Sequence, residues 1–300
     1  MGIIDKNKEC YTDRKIAIIT DCHSMYEPTL AVLEDIKRNG IDEIYSLGDN
    51  VGLGPNPIEV FDLLEEYNVK SVAGNSEYYN TLGLAPFPYF YKEKIEVQKW
   101  TEKQLGKERI SKLKLYPVSI DLFLGNQKIA LCHFANDCRW DFRDRSTHTY
   151  QRNFSSGLAA QQFLYTNSEE YQKELFLSIN EKRECCPEIL GYLSSRSEPL
   201  FKGKRITDYD AVIQGHVHFH MEDAIEGTKI HTLRAVGMGY ESDKPNTACY
   251  YVLKERKDNI YEIEKRLVPF NKNGLLESIY TSTLPNKELV LSYVKTSKEQ

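Results

Sequence analysis

Short apolar runs punctuate the chain, and five of them end on residues able to bind a metal. IAIIT precedes Asp21 and His23, EIYSL precedes Asp49, VKSVA precedes Asn75, KIALC precedes His133, and AVIQ precedes His216 and His218. Runs this short, rich in Ile, Val, Leu and Ala, read as buried strands. Stretches of helical spacing lie between the first three. Pro28–Asn39 carries Leu30, Leu33 and Ile36, and Pro57–Tyr67 carries Val60, Leu63 and Leu64. Each set lines one helix face, and Gly40 stops the first helix. Strands Lys15–Thr20, Glu43–Leu47 and Val69–Ala73 therefore alternate with helices, which implies a largely parallel sheet.

From about residue 78 to 118 that rhythm is lost. LGLAPFPYFY is a Pro-aromatic loop, and about Lys92 to Leu113 reads as helical. Ile120–Leu124 and Ile129–His133 flank Gly125-Asn126, a pair that suits a tight hairpin turn. Residues 138–208 form a polar, mostly helical insertion, expected to cap a site within a single catalytic domain spanning 1–300. The pattern resumes at Ala211–Gln214. Ile230–Val236, Ala248–Lys254 and Ile260–Val268 then look like consecutive antiparallel strands, and the last thirty residues like a short helix and a polar tail. The expected fold class is α/β (α+β).

Composition narrows the field. The 300 residues suffice for a sizeable core, and 41% hydrophobic with 28% charged residues is ordinary for a globular protein. A net charge of −5 gives no support to bulk attraction for nucleic acid. No apolar run is long enough for a membrane span, and MGIIDKNKECYTDRK lacks the apolar core of a signal peptide. It is also only half a myristoylation motif, since Lys6 stands where Ser or Thr is required. Seven cysteines without a C-x-x-C pair suggest free thiols in a reducing, cytoplasmic compartment, with Cys22 and Cys132 buried.

The seven strand-end donors are oxygen and nitrogen, with no thiolate among them, a set suited to a two-metal hydrolytic centre. Asp-x-His at a strand end would place both side chains on one face, because residues i and i+2 of an extended chain point the same way. Gly48 lets the backbone come close at Asp49, whose two oxygens can bridge two ions. In His216-x-His218 the two rings can instead serve different metals. Paired ions activate a water between them for in-line attack on phosphorus. Manganese is the first expectation, with iron or zinc as alternatives, because such donors suit all three.

Taken in order, D-x-H, G-D, G-N-x-E, a lone strand-end His and G-H-x-H resemble the calcineurin-like metallophosphoesterase superfamily. GDNVGLGPNPIEV is especially similar to its small bacterial and archaeal phosphodiesterase branch, and the likeness runs from about Ile16 to Pro269. The resemblance implies a β-sandwich flanked by helices, with two metals at the strand ends on one edge. It implies that Asp21, His23 and His218 hold one metal, that Asn75, His133 and His216 hold the other, and that Asp49 bridges. Two departures stand out. Val236-Gly237-Met238-Gly239 replaces the family's Gly-Ser-Val-Gly run, so any role for that serine does not transfer. The usual G-N-H-[DE] motif, whose histidine acts on the leaving group with help from the acid, is here Gly74-Asn75-Ser76-Glu77. A serine hydroxyl holds its proton too tightly to act as a general acid near neutrality. Some members of the small branch also lack this histidine, so turnover remains the expectation.

Glu77 is either a supporting acid behind the ligands or an exposed helix-start carboxylate. His148 or His220 are candidates to replace the missing proton donor, and Arg139, Arg143, Arg145 and Arg152 include candidate phosphate contacts. Interspersed Asp137, Asp141 and Asp144 also allow a solvated, salt-bridged face there. The aromatics of APFPYFY either pack their own loop or stack on a base. The resulting expectation is a phosphodiester, phosphomonoester or phosphoanhydride hydrolase acting on a small, nucleotide-like substrate. A protein phosphatase acting on Ser, Thr or Tyr, and a metal-binding sensor without turnover, are the alternatives.

Overall fold

The computed structural model describes residues 14–82, 92–133, 206–216, 218, 220–225, 227–238, 246–256 and 261–294. Two five-stranded sheets dominate it. The first has the order β10-β9-β1-β2-β3, from β1 (Lys15–Ile19), β2 (Glu43–Ser46), β3 (Lys70–Ser71), β9 (Thr247–Glu255) and β10 (Tyr261–Pro269). The second has the order β4-β5-β6-β8-β7, from β4 (Ser119–Leu124), β5 (Gln127–Cys132), β6 (Ala211–Gln214), β7 (Met221–Ile225) and β8 (Thr228–Thr232). β1, β2 and β3 run parallel, as do β5, β6 and β8.

The alternation of β1 explains the layering. Ile16 and Ile18 face inward, where they meet Leu122, Ile129, Leu131 and Ile213 of the second sheet. Ala17 and Ile19 face outward against Val32, Leu33 and Ile36 of α1 (Tyr26–Arg38) and Val60, Leu63 and Leu64 of α2 (Pro57–Glu66). A strand covered on both faces must be apolar throughout, which is why its sequence shows a run and not an alternation. This is the β-sandwich with flanking helices that the family resemblance implies.

Further helices are α3 (Asn75–Leu82), α4 (Lys92–Leu113), α5 (Lys272–Thr281) and α6 (Lys287–Val294). α4 breaks at Gly106, whose φ of 67° and ψ of 175° no helix accommodates. Its distal part is tied to α2 by Arg109, which grips Asp62 through two nitrogens at 2.8 and 2.6 Å.

Several expectations need correction. The segment expected at Ile230–Val236 is β8, ending at Thr232, and it is not the first of three antiparallel strands. It belongs to the second sheet, parallel to β6 and antiparallel to β7, while β9 and β10 alone form the late antiparallel pair. The chain end holds two helices, not one with a polar tail, because Leu284, Val290 and Leu291 pack with Leu275 and Ile279. The strand–helix rhythm does lapse after β3, where α3 is followed by α4 and then by the β4–β5 hairpin. The cap at 138–208 lies outside the described residues except for a 3₁₀ turn at Ile206–Asp208, and the Pro-aromatic segment from 83 onward lies outside them too. Among the described residues, no helix is long and apolar enough to cross a membrane. Cys22, Cys132 and Cys249 are buried.

Candidate metal centre

The carboxyl ends of β1, β2 and β3 meet those of β5 and β6 at one edge of the sandwich, the usual place for a site in such sheets. The connecting loops are stitched by their backbones. Asp21 N–H donates to Gly48 O at 3.0 Å, His23 N–H to Asp49 O at 2.9 Å, and Gly215 N–H to His133 O at 2.8 Å. Asp21, His23, Asp49, His216 and His218 all adopt left-handed φ angles, between 46° and 75°. Each such non-glycine conformation costs on the order of 1 kcal/mol or more and persists only where the surroundings enforce it. Asp21 and His23 do come together, with His23 Nε2 3.8 Å from Asp21 Oδ1, but not through the pleat of an extended strand. The chain has left β1 by Asp21, and a left-handed turn, not a pleat, brings the two side chains together.

The donors form two clusters. Asp21, His23 and His218 present atoms within 4.8 Å of one another, and so do Asp49, His133 and His216. In the first, His23 Nε2 lies 3.0 Å from His218 Nε2, and His218 Nε2 lies 3.4 Å from Asp21 Oδ1. In the second, His133 Nε2 lies 3.0 Å from both His216 Nδ1 and Asn75 Oδ1. The rings of His216 and His218 thus serve different clusters. Asp49 stands between the two, with Oδ2 3.7 Å from His23 Nε2 and Oδ1 3.6 Å from His133 Nε2.

This donor set fits metal ions. His133 Nδ1 lies 2.8 Å from the Leu47 carbonyl, which assigns the proton to Nδ1 and leaves the Nε2 lone pair toward the cluster. Asp21 Oδ2 is engaged by the Thr20 hydroxyl and by His216 N–H, whereas buried Asp21 Oδ1, on the cluster side, has no hydrogen-bond partner. Burial lowers the His23 pKa to about 3, with His218 adding to the effect, and burial likewise holds His216 well below its ordinary value. Both are neutral imidazoles, the form that ligates metal. Burial, and next the Asp21 charge, raise Asp49 to about 7. Burial also acts to raise Asp21, but His218, His133 and His23 outweigh it and hold that carboxyl below the usual range. The clusters are compatible with a pair of ions, and the donors discriminate little among Mn, Fe and Zn.

Glu77 is not an exposed helix-start carboxylate: its side chain is buried beneath the ligand loops. Its Oε2 accepts the N–H groups of Asp49 at 2.9 Å and Gly74 at 2.7 Å, and its Oε1 accepts Asn50 N–H at 2.8 Å. One carboxylate thereby joins the Asp49 loop to the Asn75 loop. Two glycines let those loops touch. A Cβ at Gly48, where φ is +91°, would strike the Gly74 backbone, and one at Gly74 would strike Asp49. Ser76 is buried, and its N–H donates to Asp49 Oδ1 at 2.7 Å. His220 engages Tyr251 at 3.4 Å and Glu222 at 3.7 Å, partners that lie outside both clusters. Arg139, Arg143, Arg145, Arg152 and His148 fall outside the described residues.

The sequence pattern passed over Lys94 of α4. Burial lowers its pKa, the Asp49 carboxylate acts to raise it, and its own charge acts to lower that of His23. Asp49 and His23 lie far upstream of this lysine, so no local signal marks it.

The chain belongs to the calcineurin-like phosphoesterase family, whose pattern matches residues 14–220. An uncharacterized protein from Methanocaldococcus jannaschii is 39% identical over 118 residues, 39% of this chain and 48% of that protein. The match therefore spans about half of that relative's length. A hypothetical protein from Pyrococcus horikoshii OT3 is a structural neighbour at 15% identity, covering 93% of this chain and 98% of that one with a TM-score of 0.58. A metallophosphoesterase from Sphaerobacter thermophilus is another, at 19% identity, 94% and 98% coverage and a TM-score of 0.55. At such identities these two likenesses concern the fold.

Proposed function

We propose that the protein is a dimetal phosphoesterase that hydrolyses a phosphodiester, phosphomonoester or phosphoanhydride of a small, nucleotide-like compound. The observation that carries this reading is Asp49, whose two oxygens are turned to separate clusters. In this reading Asp21, His23 and His218 would hold one ion, Asn75, His133 and His216 would hold the other, and Asp49 would serve both. Bound ions would supply Lewis acidity at phosphorus and activate water for in-line attack. The chain's own part is to hold the donors rigid. Leu47 O fixes the His133 tautomer, Thr20 and the His216 N–H orient Asp21, and Glu77 clamps the loops on either side of Asp49. Ser76 contributes a backbone donor to Asp49 but no general acid, so the proton needed by a poor leaving group must come from elsewhere.

The test is reconstitution with Mn²⁺, followed by assay against aryl phosphate mono- and diesters, dinucleoside polyphosphates and phosphopeptides, with Asp49→Asn as control. Metal-dependent hydrolysis that is abolished in the variant is expected. Undiminished activity in that variant would sink the mechanism. Ser76 also favours a second reading, a metal-binding sensor without turnover, for which two bound ions and no hydrolysis even of an activated aryl diester would speak.

A further inference from the structure

α4 packs against the segments that follow three of the candidate ligands, and Lys94 is carried on the packed face. Lys94, Val97 and Gln98 share one helix face, being spaced i, i+3 and i+4. Val97 is 1% exposed and packs in one cluster with Met25 and Leu53, which follow the His23 turn and the Asp49 turn in sequence. Gln98 Nε2 donates to the Tyr79 carbonyl of α3 at 2.6 Å, the helix that Asn75 begins. The face carrying Lys94 is therefore anchored to the segments that follow three of the ligands, one helical turn N-terminal to those anchors. Side chains on a helix lean toward its N-terminus, which extends Lys94 beyond its own anchors.

From this placement we infer that Lys94 is a substrate-anchoring residue, its ammonium binding a non-bridging oxygen of the phosphoryl group held at the metal clusters. The electrostatics agree. Lys94 acts on both Asp49 and His23, which stand in different clusters, so its charge lies within reach of both. A lysine is suited to the task as a point charge with three donors, which a phosphate oxygen accepts without fixed geometry. The site would then carry positive charge independent of its metals, favouring an anionic phosphoryl group over a neutral carbonyl substrate. The inference rests on the phosphoesterase reading for the identity of the ligand, but not on turnover.

The experiment uses inorganic phosphate as probe, on the full chain loaded with Mn²⁺. Its affinity is measured by calorimetry for the wild type, Lys94→Gln and Lys94→Arg, and the metal content of each is measured by mass spectrometry. Loss of one charged hydrogen bond is expected to weaken phosphate binding about ten- to a hundredfold in Lys94→Gln. Both ions should stay bound, and Lys94→Arg should recover most of the affinity. Unchanged phosphate affinity in Lys94→Gln with metals retained overturns the inference. So does loss of metal in that variant, which would make Lys94 a support of the centre, and so does a loaded wild type that binds no phosphate. If the wild type binds phosphate yet hydrolyses nothing, the turnover reading fails while the Lys94 result is still read from affinity.

Discussion

Metal affinity should follow the proton on Asp49. In metal-free protein, burial and the Asp21 charge raise this carboxyl from 3.8 to about 7, so below that pH it carries a proton. A cation drawn between the two clusters must displace it. The metal-free state binds the proton and the loaded state does not, so affinity climbs as pH rises to about 7 and levels off above. With one competing proton, the apparent affinity at a pH of about 6 lies roughly elevenfold below its plateau, or about 1.4 kcal/mol. Glu77 is likewise raised to about 7, first by burial and then by Asp49, so expulsion of its proton by an incoming cation steepens the slope. His23 and His216 release none in this window, because burial has already made them neutral.

Calorimetric titration of chelator-stripped protein with Mn²⁺, in buffers of different ionisation heat, yields both the affinity and the number of protons released. Asp49→Asn should bind more weakly and with a shallower pH dependence, since it removes one proton and leaves only the share of Glu77, which burial still raises. Two outcomes refute the reasoning. One is an affinity that is flat between pH of about 6 and 8. The other is an Asp49→Asn protein that keeps the full pH dependence, which would make a histidine the source of the proton.

Glu77→Gln turns its amide group against at least two backbone N–H donors whichever way it flips. Leaving both unpaired costs about 2–6 kcal/mol, to be read as a lower urea midpoint of the metal-loaded protein; an unchanged midpoint denies the clamp. Gly74→Ala pushes a Cβ into Asp49, so bound metal per chain should fall while circular dichroism still shows a folded protein. Full metal content in that variant would mean the loops yield without consequence. Ser76→His supplies the absent imidazole beside Asp49, and its gain, up to roughly 10²-fold, should be confined to esters with poor leaving groups. Equal change on good and poor leaving groups would contradict the role given to that position.

What the sequence made legible, and what it hid, divides by the range of the interactions. β1, β2, β5 and β6 are buried on both faces, so each must be an apolar run, and an apolar run is visible without knowing its neighbours. The residue at which such a run ends is visible too, which brought out Asp21, Asp49, His133 and His216. β7, MEDAI, is interrupted by the adjacent acids Glu222 and Asp223, so it offers no apolar run to read. β8 was legible as a strand, but nothing in TKIHT states which sheet it joins, since that is decided by its pairing with β6. Glu77 was undecidable for the same reason: a carboxylate in the first turn of a helix looks alike whether it faces water or accepts N–H groups 26 to 28 residues earlier. Lys94 lies further along this scale, because the position of α4 is set by three segments distant in sequence, those of Met25, Leu53 and Tyr79. The candidate ligands are thus encoded locally and their support is encoded by contact. The departure at Ser76 shows the consequence: the family motif loses its histidine, while Asp49 keeps the backbone N–H of the replaced residue. A substitution there changes the chemistry that the side chain supplied and leaves the backbone contact to Asp49 in place.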